Sequence, residues 1–155
     1  MTKIGVISDT HGLLRPEAVD KLRGSDYIIH AGDIGDPTIL DQLARIAPVT
    51  AVRGNIDRDK WARKIPETNV LDLGTVHIYV LHDLQRLDIK PESTSFAAVV
   101  SGHSHVPKQE TKNGVLYFNP GSAGPRRFRL SVCVGRILLQ GSELRAEILE
   151  LSPLA

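Results

Sequence analysis

Short apolar runs that stop abruptly at polar residues recur along this chain. The first covers residues 4–7 and is followed by Asp9, His11 and Gly12. A run of this length bounded by glycine is typical of a strand in a sheet covered on both faces. Its polar residues would lie just beyond the carboxyl end of the strand, where open α/β sheets bind ligands.

The first third of the chain alternates between such runs and helical patterns. Apolar residues at helical spacing predict helices over residues 15–23 and 37–46. Short apolar runs predict strands over residues 27–29 and 49–52. The order β-α-β-α-β indicates parallel strands joined by right-handed crossovers.

The pattern in the remainder of the chain predicts mostly paired strands. Glycine-containing turns separate the predicted strands, and Asn113-Gly114 is a strong hairpin signal. The predicted strands cover residues 69–73, 76–81, 96–100, 109–111, 115–118, 129–139 and 144–149. We therefore expect an α/β protein with one domain over residues 1–155, in which two stacked sheets carry helices on the outside.

Composition narrows the functional classes. The formal net charge of +1 gives no global field for nucleic acid or membrane. The single cysteine, Cys133, excludes an internal disulfide and a cysteine-based zinc site. The N-terminus lacks a secretory signal, and no stretch approaches the roughly 20 apolar residues of a membrane helix. These features predict a soluble cytoplasmic protein.

Polar residues also follow the later apolar runs. Gly32-Asp33 and Gly54-Asn55 are common turn dipeptides in isolation, and His82 ends the run that begins at residue 76. The strongest single motif is Gly102-His103-Ser104-His105. Two histidines at this spacing after a buried strand rarely serve packing alone, because two buried imidazoles both need partners.

Together the strand ends supply seven oxygen and nitrogen donors and no thiolate. Seven donors are more than one tetrahedral metal site uses, and they are enough for two metals that share a carboxylate. Such oxygen and nitrogen donors suit Mn²⁺, Fe, Zn²⁺ or Co²⁺. Two metals about 3.5–4 Å apart clamp the attacking and leaving oxygens in phosphoryl transfer. The seven predicted ligands are Asp9, His11, Asp33, Asn55, His82, His103 and His105.

These motifs resemble the calcineurin-like metallophosphoesterase superfamily, and in particular its small prokaryotic phosphodiesterase branch. The motifs that carry the resemblance are Asp9-Thr-His11, Gly32-Asp33, Gly54-Asn55-Ile-Asp57, His82, Gly102-His103-Ser-His105 and Asn119-Pro-Gly-Ser122. The resemblance implies an α/β/β/α sandwich of two mixed sheets.

The resemblance also implies a division of the ligands. Asp9, His11, Asp33 and His105 would bind one divalent ion, and a bridging Asp33 with Asn55, His82 and His103 would bind the other. Manganese is favoured, with nickel, cobalt, iron or zinc as alternatives. The loop 119–122 would support the site, and Asp57 would orient Asn55 or a histidine.

The activity implied is hydrolysis of a small phosphate ester, most simply a diester, by hydroxide that the metals generate. His103 and Asn55 would take part in catalysis. Two positions depart from the family pattern: Asp83 stands where glycine is common, and Ile56 stands where many branches carry a proton-donating histidine.

A non-catalytic role is the main alternative, because a retromer coat subunit resembles this fold yet serves as a scaffold. All seven donor positions are filled here, which favours the enzyme.

Two basic segments have open interpretations. The segment around Trp61 is either a solvated helix or a nucleic-acid surface, and Arg126, Arg127 and Arg129 either bind phosphate or line a homo-oligomer interface.

Overall fold

Ten strands, two α-helices and three short 3₁₀ helices make up residues 1–151, which are the residues that this computed structural model describes. In chain order the regular elements are β1 Thr2–Ile7, α1 Pro16–Leu22, β2 Tyr27–His30, α2 Pro37–Ala44, β3 Val49–Ala51, β4 Thr68–Asp72, β5 His77–Leu81, β6 Phe96–Val100, β7 Lys108–Lys112, β8 Val115–Asn119, β9 Cys133–Gln140 and β10 Glu143–Glu150. The 3₁₀ helices cover Lys60–Lys64, Leu84–Arg86 and Pro91–Ser93.

The strands form two five-stranded sheets, and both are mixed. The first sheet has the order β10-β9-β1-β2-β3, in which β1, β2 and β3 are parallel and β9 and β10 are antiparallel to their neighbours. The second has the order β4-β5-β6-β8-β7, with β5, β6 and β8 parallel and an antiparallel strand at each edge. The predicted pair of stacked mixed sheets is confirmed.

The two sheets bury their largest apolar cluster between them. Ile4 and Ile137 from the first sheet pack in one cluster with Ile78, Val100 and Phe118 from the second. Every one of these side chains is at most 1% exposed. The alternation of inward and outward side chains along each strand places one set in this shared layer and the other on the outer face.

Helices cover the outer faces unequally. On the first sheet, α1 and α2 contribute Ala18, Leu22, Ile39 and Leu43 to a second buried cluster. On the second sheet, Leu87 and Ile89 from the segment between β5 and β6 cover the third cluster. None of the helices within residues 1–151 is long and apolar enough to cross a membrane.

One predicted boundary was wrong. The apolar pattern predicted a strand from residue 129, but β9 begins at Cys133. Before it the chain turns: Phe128 has a φ of 53°, and residues 129–131 lie outside any strand. Val132 forms only an isolated bridge to Ser122, which ties this loop to the loop after β8.

The interior position of Phe118 predicts a large loss of stability on truncation. Phe118→Ala should lower the free energy of unfolding by about 3–5 kcal/mol, because it leaves a cavity between the sheets. Phe128→Ala, at a side chain that is 94% exposed, is the matched control and should change it by less than about 0.5 kcal/mol. Urea denaturation measures both, and a similar loss in the two variants would contradict the proposed core.

Candidate metal centre

The parallel strands of both sheets direct five loops with predicted ligands toward one region. The loops after β1, β2 and β3 carry Asp9, His11, Asp33 and Asn55, and those after β5 and β6 carry His82, His103 and His105. Hydrogen bonds join the loops across the two sheets. His103 N donates to Asp9 Oδ2 over 3.1 Å, and Ala31 O lies 2.7 Å from His82 Nδ1.

The first two loops are hydrogen-bonded to each other through their backbones. Asp9 N donates to Gly32 O, His11 N to Asp33 O and Gly12 N to Ile34 O, over 2.8–2.9 Å. These bonds extend the parallel pairing of β1 and β2 past the ends of the strands. They hold the two candidate carboxylates side by side.

The backbone of the candidate ligands is strained. Eight non-glycine residues among residues 1–151 have a positive φ, and five of them are predicted ligands. Non-glycine residues in this region cost about 1–3 kcal/mol each and persist where the surrounding structure holds them. The five are Asp9 (56°), His11 (47°), Asp33 (55°), His103 (71°) and His105 (64°).

Two glycines permit the loops to approach this closely. A Cβ at Gly54 would overlap the carboxylate and amide of Asp33, and a Cβ at Gly102 would overlap Ser8 Oγ and lie 2.6 Å from Asp9 Oδ2. Any side chain at these positions would therefore push a loop away from a carboxylate. The glycines of the Gly-Asn and Gly-His motifs thus have a steric role at the site.

Asp9 and Asp33 lie buried among three imidazoles. His105 Nε2 and His11 Nε2 are 3.4 and 3.8 Å from Asp9 Oδ1. His82 Nε2 and His11 Nε2 are 3.3 and 3.4 Å from Asp33 Oδ2. Potential ligand atoms lie within 4.8 Å of one another in two groups, Asp9 with His11 and His105, and Asp9 with Asp33 and His82.

The imidazoles keep both carboxylates ionised. Burial alone would raise the pKa of Asp9, but His105, His11 and the Ser8 hydroxyl outweigh it and hold the pKa well below its ordinary value. Burial would also raise the pKa of Asp33, but His82 outweighs burial and the pKa is lowered. For His82 burial would lower the pKa, but Asp33 and Asp9 raise it. Two ionised carboxylates therefore lie side by side in the cluster, and carboxylates are common ligands of divalent metals.

Unpartnered atoms show that this donor set fits a metal. Five buried side-chain nitrogen or oxygen atoms in the described part of the chain have no hydrogen-bond partner, and four of them are in this cluster. Buried polar atoms normally have partners, and a metal ion would supply one to these orphaned atoms. The four are Asp9 Oδ1, His11 Nε2, His82 Nε2 and His105 Nδ1.

His82 illustrates the fit. Its Nδ1 lies 2.7 Å from Ala31 O, a carbonyl that can only accept, so Nδ1 carries a proton. In the neutral ring Nε2 then has a free lone pair, and this atom faces Asp33. A metal-binding histidine is commonly fixed in this way by a carbonyl behind the ring.

His103 and Asn55 lie at the edge of the cluster. The His103 side chain is 42% exposed, with Nε2 3.9 Å from Asp83 Oδ2 and its ring 5.2 Å from that of His82. Asn55 is exposed. Both line a cleft of about 840 Å³ that also contacts His82. Their assignment as ligands and catalytic groups stays a prediction.

The position of the bridging ligand also stays a prediction. The sequence-based interpretation places the bridge at Asp33, which lies between His11 and His82. Asp9, however, belongs to both groups of potential ligands. The two carboxylates thus stand in similar relation to the surrounding imidazoles, and a substitution at each distinguishes them.

Asp57 acts differently from the expectation. It was predicted to orient Asn55 or a histidine, but its oxygens accept from the backbone N–H groups of Ile34, Gly35 and Gly54 over 2.9–3.0 Å. The buried carboxylate therefore ties the Asp33 loop to the Gly54 loop. The type of residue was visible in the sequence, but its partners are backbone groups that no motif specifies.

The loop 119–122 supports the site as predicted. Asn119 Nδ2 donates to Gly102 O over 3.0 Å and to Ser104 Oγ over 3.1 Å. Ser122 Oγ donates to Asp9 O over 3.1 Å. These bonds fix the backbone on either side of His103 and at Asp9.

His30 is a buried structural residue behind the candidate ligands. Gly32 N donates to its Nδ1 over 3.1 Å, so Nε2 carries the proton and donates to Thr10 Oγ1, 3.0 Å away. Thr10 Oγ1 in turn donates to Ile34 O. Burial is the main reason that the pKa of His30 falls from 6.5 to about 4. The neutral ring links the two ligand loops.

Comparison with known proteins adds a family assignment. Residues 2–140 match the model of the calcineurin-like phosphoesterase superfamily domain. A protein of Methanothermobacter thermautotrophicus named as a probable metallophosphoesterase is 36% identical over 159 residues, covering 94% of this chain and 91% of its own. A phosphodiesterase of Methanocaldococcus jannaschii is 26% identical over 137 residues, covering 77% and 82%.

Among solved structures, Vps29 from Chaetomium thermophilum has a similar fold. It superposes with a TM-score of 0.80 and 21% identity over 94% of this chain and 86% of its own. At this identity the likeness concerns the fold alone.

His30 predicts acid sensitivity in the metal-free protein. Unfolded His30 binds a proton near pH 6.5 and folded His30 only near pH 4, so the free energy of unfolding should fall as the pH drops between these values. The loss attributable to His30 should approach about 3 kcal/mol. His30→Gln cannot be protonated and should flatten this slope, although it should be less stable at pH 7.

Urea denaturation of both proteins at pH 4.0–7.5 measures the difference. The other titrating groups are common to the two proteins, so the difference between the slopes isolates His30. Equal slopes would show that His30 does not govern the acid response.

Proposed function

The chain belongs to the calcineurin-like phosphoesterase superfamily, and we propose that it is a phosphodiesterase that works with two divalent metal ions. The observation that carries this proposal is the cluster of four unpartnered ligand atoms around the buried carboxylates of Asp9 and Asp33. The relative from Methanocaldococcus jannaschii that is named a phosphodiesterase supports the choice of a diester.

The proposed ligands divide as follows. Asp9, His11 and His105 hold one ion together with Asp33, and Asp33, Asn55, His82 and His103 hold the other. We propose Mn²⁺, since carboxylate, amide and imidazole donors without thiolate suit it, and iron, cobalt, nickel and zinc are the competitors to test. When bound, such a pair of ions lowers the pKa of water and offsets charge on a phosphoryl group.

The protein supplies position and polarity in this proposal and does not supply a nucleophile. Asp9 is fully buried and Asp33 is 4% exposed, so neither carboxylate is open to attack a phosphorus atom from the cleft. His103 and Asn55 do reach the cleft, and their ring nitrogen and side-chain amide can donate to phosphoryl oxygens. Donors held in place before reaction are effective because they need no reorganisation.

A diester suits the charge at the rim better than a monoester. Asp83 Oδ2 lies 3.9 Å from His103 Nε2, so a carboxylate faces the place where the ester would bind. A diester brings one negative charge where a monoester brings up to two. Diesters are therefore expected to react at least as fast as monoesters with the same leaving group.

Substitution of the carboxylates tests the two-metal proposal. After metal loading, elemental analysis of the parent should find about two divalent ions per chain. Asp33→Ala should lose both and should lose the most activity, because Asp33 is the proposed bridge. Asp41→Ala, at an exposed aspartate on α2, is the matched control and should keep metal and activity.

The same assay distinguishes an enzyme from a scaffold. Metal-dependent hydrolysis of bis(4-nitrophenyl) phosphate that His103→Ala abolishes would exclude a purely structural role. Full activity in metal-stripped protein would overturn the metal proposal. Retention of both ions by Asp33→Ala, with loss in Asp9→Ala, would move the bridge to Asp9.

Isoleucine at position 56 predicts that the rate of hydrolysis depends strongly on the pKa of the leaving group. Its side chain is 47% exposed next to Asn55 and cannot protonate a departing alkoxide. General acid help is worth about 10²–10⁴-fold, so aryl diesters should react far faster than alkyl diesters. Ile56→His should raise the rate chiefly for alkyl esters, whereas Ile56→Gln, polar but not acidic, should not.

A series of aryl and alkyl esters assayed on the three proteins measures this dependence. If the rate of the parent did not change with the pKa of the leaving group, with the chemical step shown to limit the rate, another group of the protein would already donate the proton.

A further inference from the structure

Arginines from three separate segments line the cleft beside the metal centre. Arg53 and Arg58 flank the Gly54-Asn55 loop, Arg63 lies in the 3₁₀ helix Lys60–Lys64, and Arg86 lies in the 3₁₀ helix Leu84–Arg86. The cleft, of about 840 Å³, is at the upper end of the roughly 300–1,000 Å³ typical of small-molecule sites. A simple aryl phosphate would fill only part of it.

Most acidic residues of the cleft have other partners. Asp57 is 4% exposed and accepts three backbone N–H groups. Glu67 pairs with Arg53 over 3.2 Å. Asp83 accepts from Gln85 N and faces His103. Of the cleft's acidic residues, only Asp88 has no such contact within residues 1–151.

The remaining arginines keep donors available. Arg58 uses its Nε on Asn55 O over 2.9 Å, which leaves its two terminal nitrogens. Arg63 and Arg86 are exposed and form no ion pair in the described chain. These three cations, set in one concave surface, outnumber the two accessible carboxylates that share it, Asp83 and Asp88.

We propose that this arginine-lined part of the cleft binds a second phosphoryl group of the substrate. The inference rests on the proposed phosphodiesterase activity and names its substrate class: small phosphodiesters that carry an additional phosphate. The scissile diester lies at the metal centre, next to His82 and His103, and the second phosphate lies against Arg58, Arg63 and Arg86. Guanidinium groups suit this role, since their fork of donors matches phosphate oxygens.

The position of Arg58 connects the two parts of the cleft. Its bond to Asn55 O joins the arginine group to a predicted metal ligand. A phosphate that orders Arg58 also orders the backbone at Asn55. The second phosphate therefore improves kcat as well as KM.

The experiment compares two esters that differ only in the second phosphate. Thymidine 5′-(4-nitrophenyl phosphate) and its 3′-phosphorylated form release the same 4-nitrophenolate, so the ratio of their kcat/KM values reports the second phosphate alone. The parent, loaded with Mn²⁺, should prefer the 3′-phosphorylated ester by about tenfold to a hundredfold. Raising the ionic strength should reduce this preference.

Variants locate the phosphate. Arg63→Gln with Arg86→Gln should reduce the ratio of kcat/KM severalfold, because only Arg58 remains to contact the second phosphate. Arg23→Gln, an exposed arginine outside the cleft, is the matched control and should keep the parent's ratio. All three substitutions are at exposed side chains, so the variants are expected to fold.

The outcomes separate this inference from the proposed function. Equal kcat/KM values for the two esters in the parent, or a preference that is undiminished in the double variant, would overturn the second-phosphate site while leaving the phosphodiesterase intact. Hydrolysis of neither ester with any of the five metals would overturn the phosphodiesterase itself, and the inference with it.

Discussion

Two carboxylates buried side by side are the constraint on which the rest of this structure depends. Asp9 and Asp33 carry negative charge into the contact between two sheets, where an uncompensated charge costs several kcal/mol. Three imidazoles lie within 3.3–3.8 Å of their oxygens. Four atoms of the cluster still lack hydrogen-bond partners, so the folded chain is organised to receive cations.

Holding these groups together requires support from elsewhere in the protein. The five ligands with positive φ would relax if the loops were free. The backbone bonds between the first two loops, the Asp57 carboxylate and the neutral His30 ring each fasten one ligand loop to another. The well-packed layer around Phe118 provides the rigid base. Stability gained between the sheets thus offsets strain at their edge.

The rim of the cleft differs in character from the buried metal cluster. Asp83 and the arginines line the same cleft, and Ile56 is exposed next to Asn55, which also lines it. Within the described residues their side chains form no hydrogen bond or ion pair with Asp9 or Asp33, although the backbone N–H of Ile56 donates to Asp33 Oδ1 over 3.2 Å. Reaction chemistry is consequently assigned to the buried cluster, whereas the choice of leaving group and substrate charge is assigned to the rim.

The sequence by itself determined the strands and the residues that follow them, because an apolar run that ends in glycine and polar residues has one favourable place in a parallel sheet. This was enough to propose seven ligands and two stacked sheets. Tertiary structure alone decided which donors are buried, that Asp57 binds backbone groups, and that the four cleft arginines share one surface. His103 N reaches Asp9 across 94 residues, and such contacts depend on how loops of separate sheets pack, which local patterns do not encode.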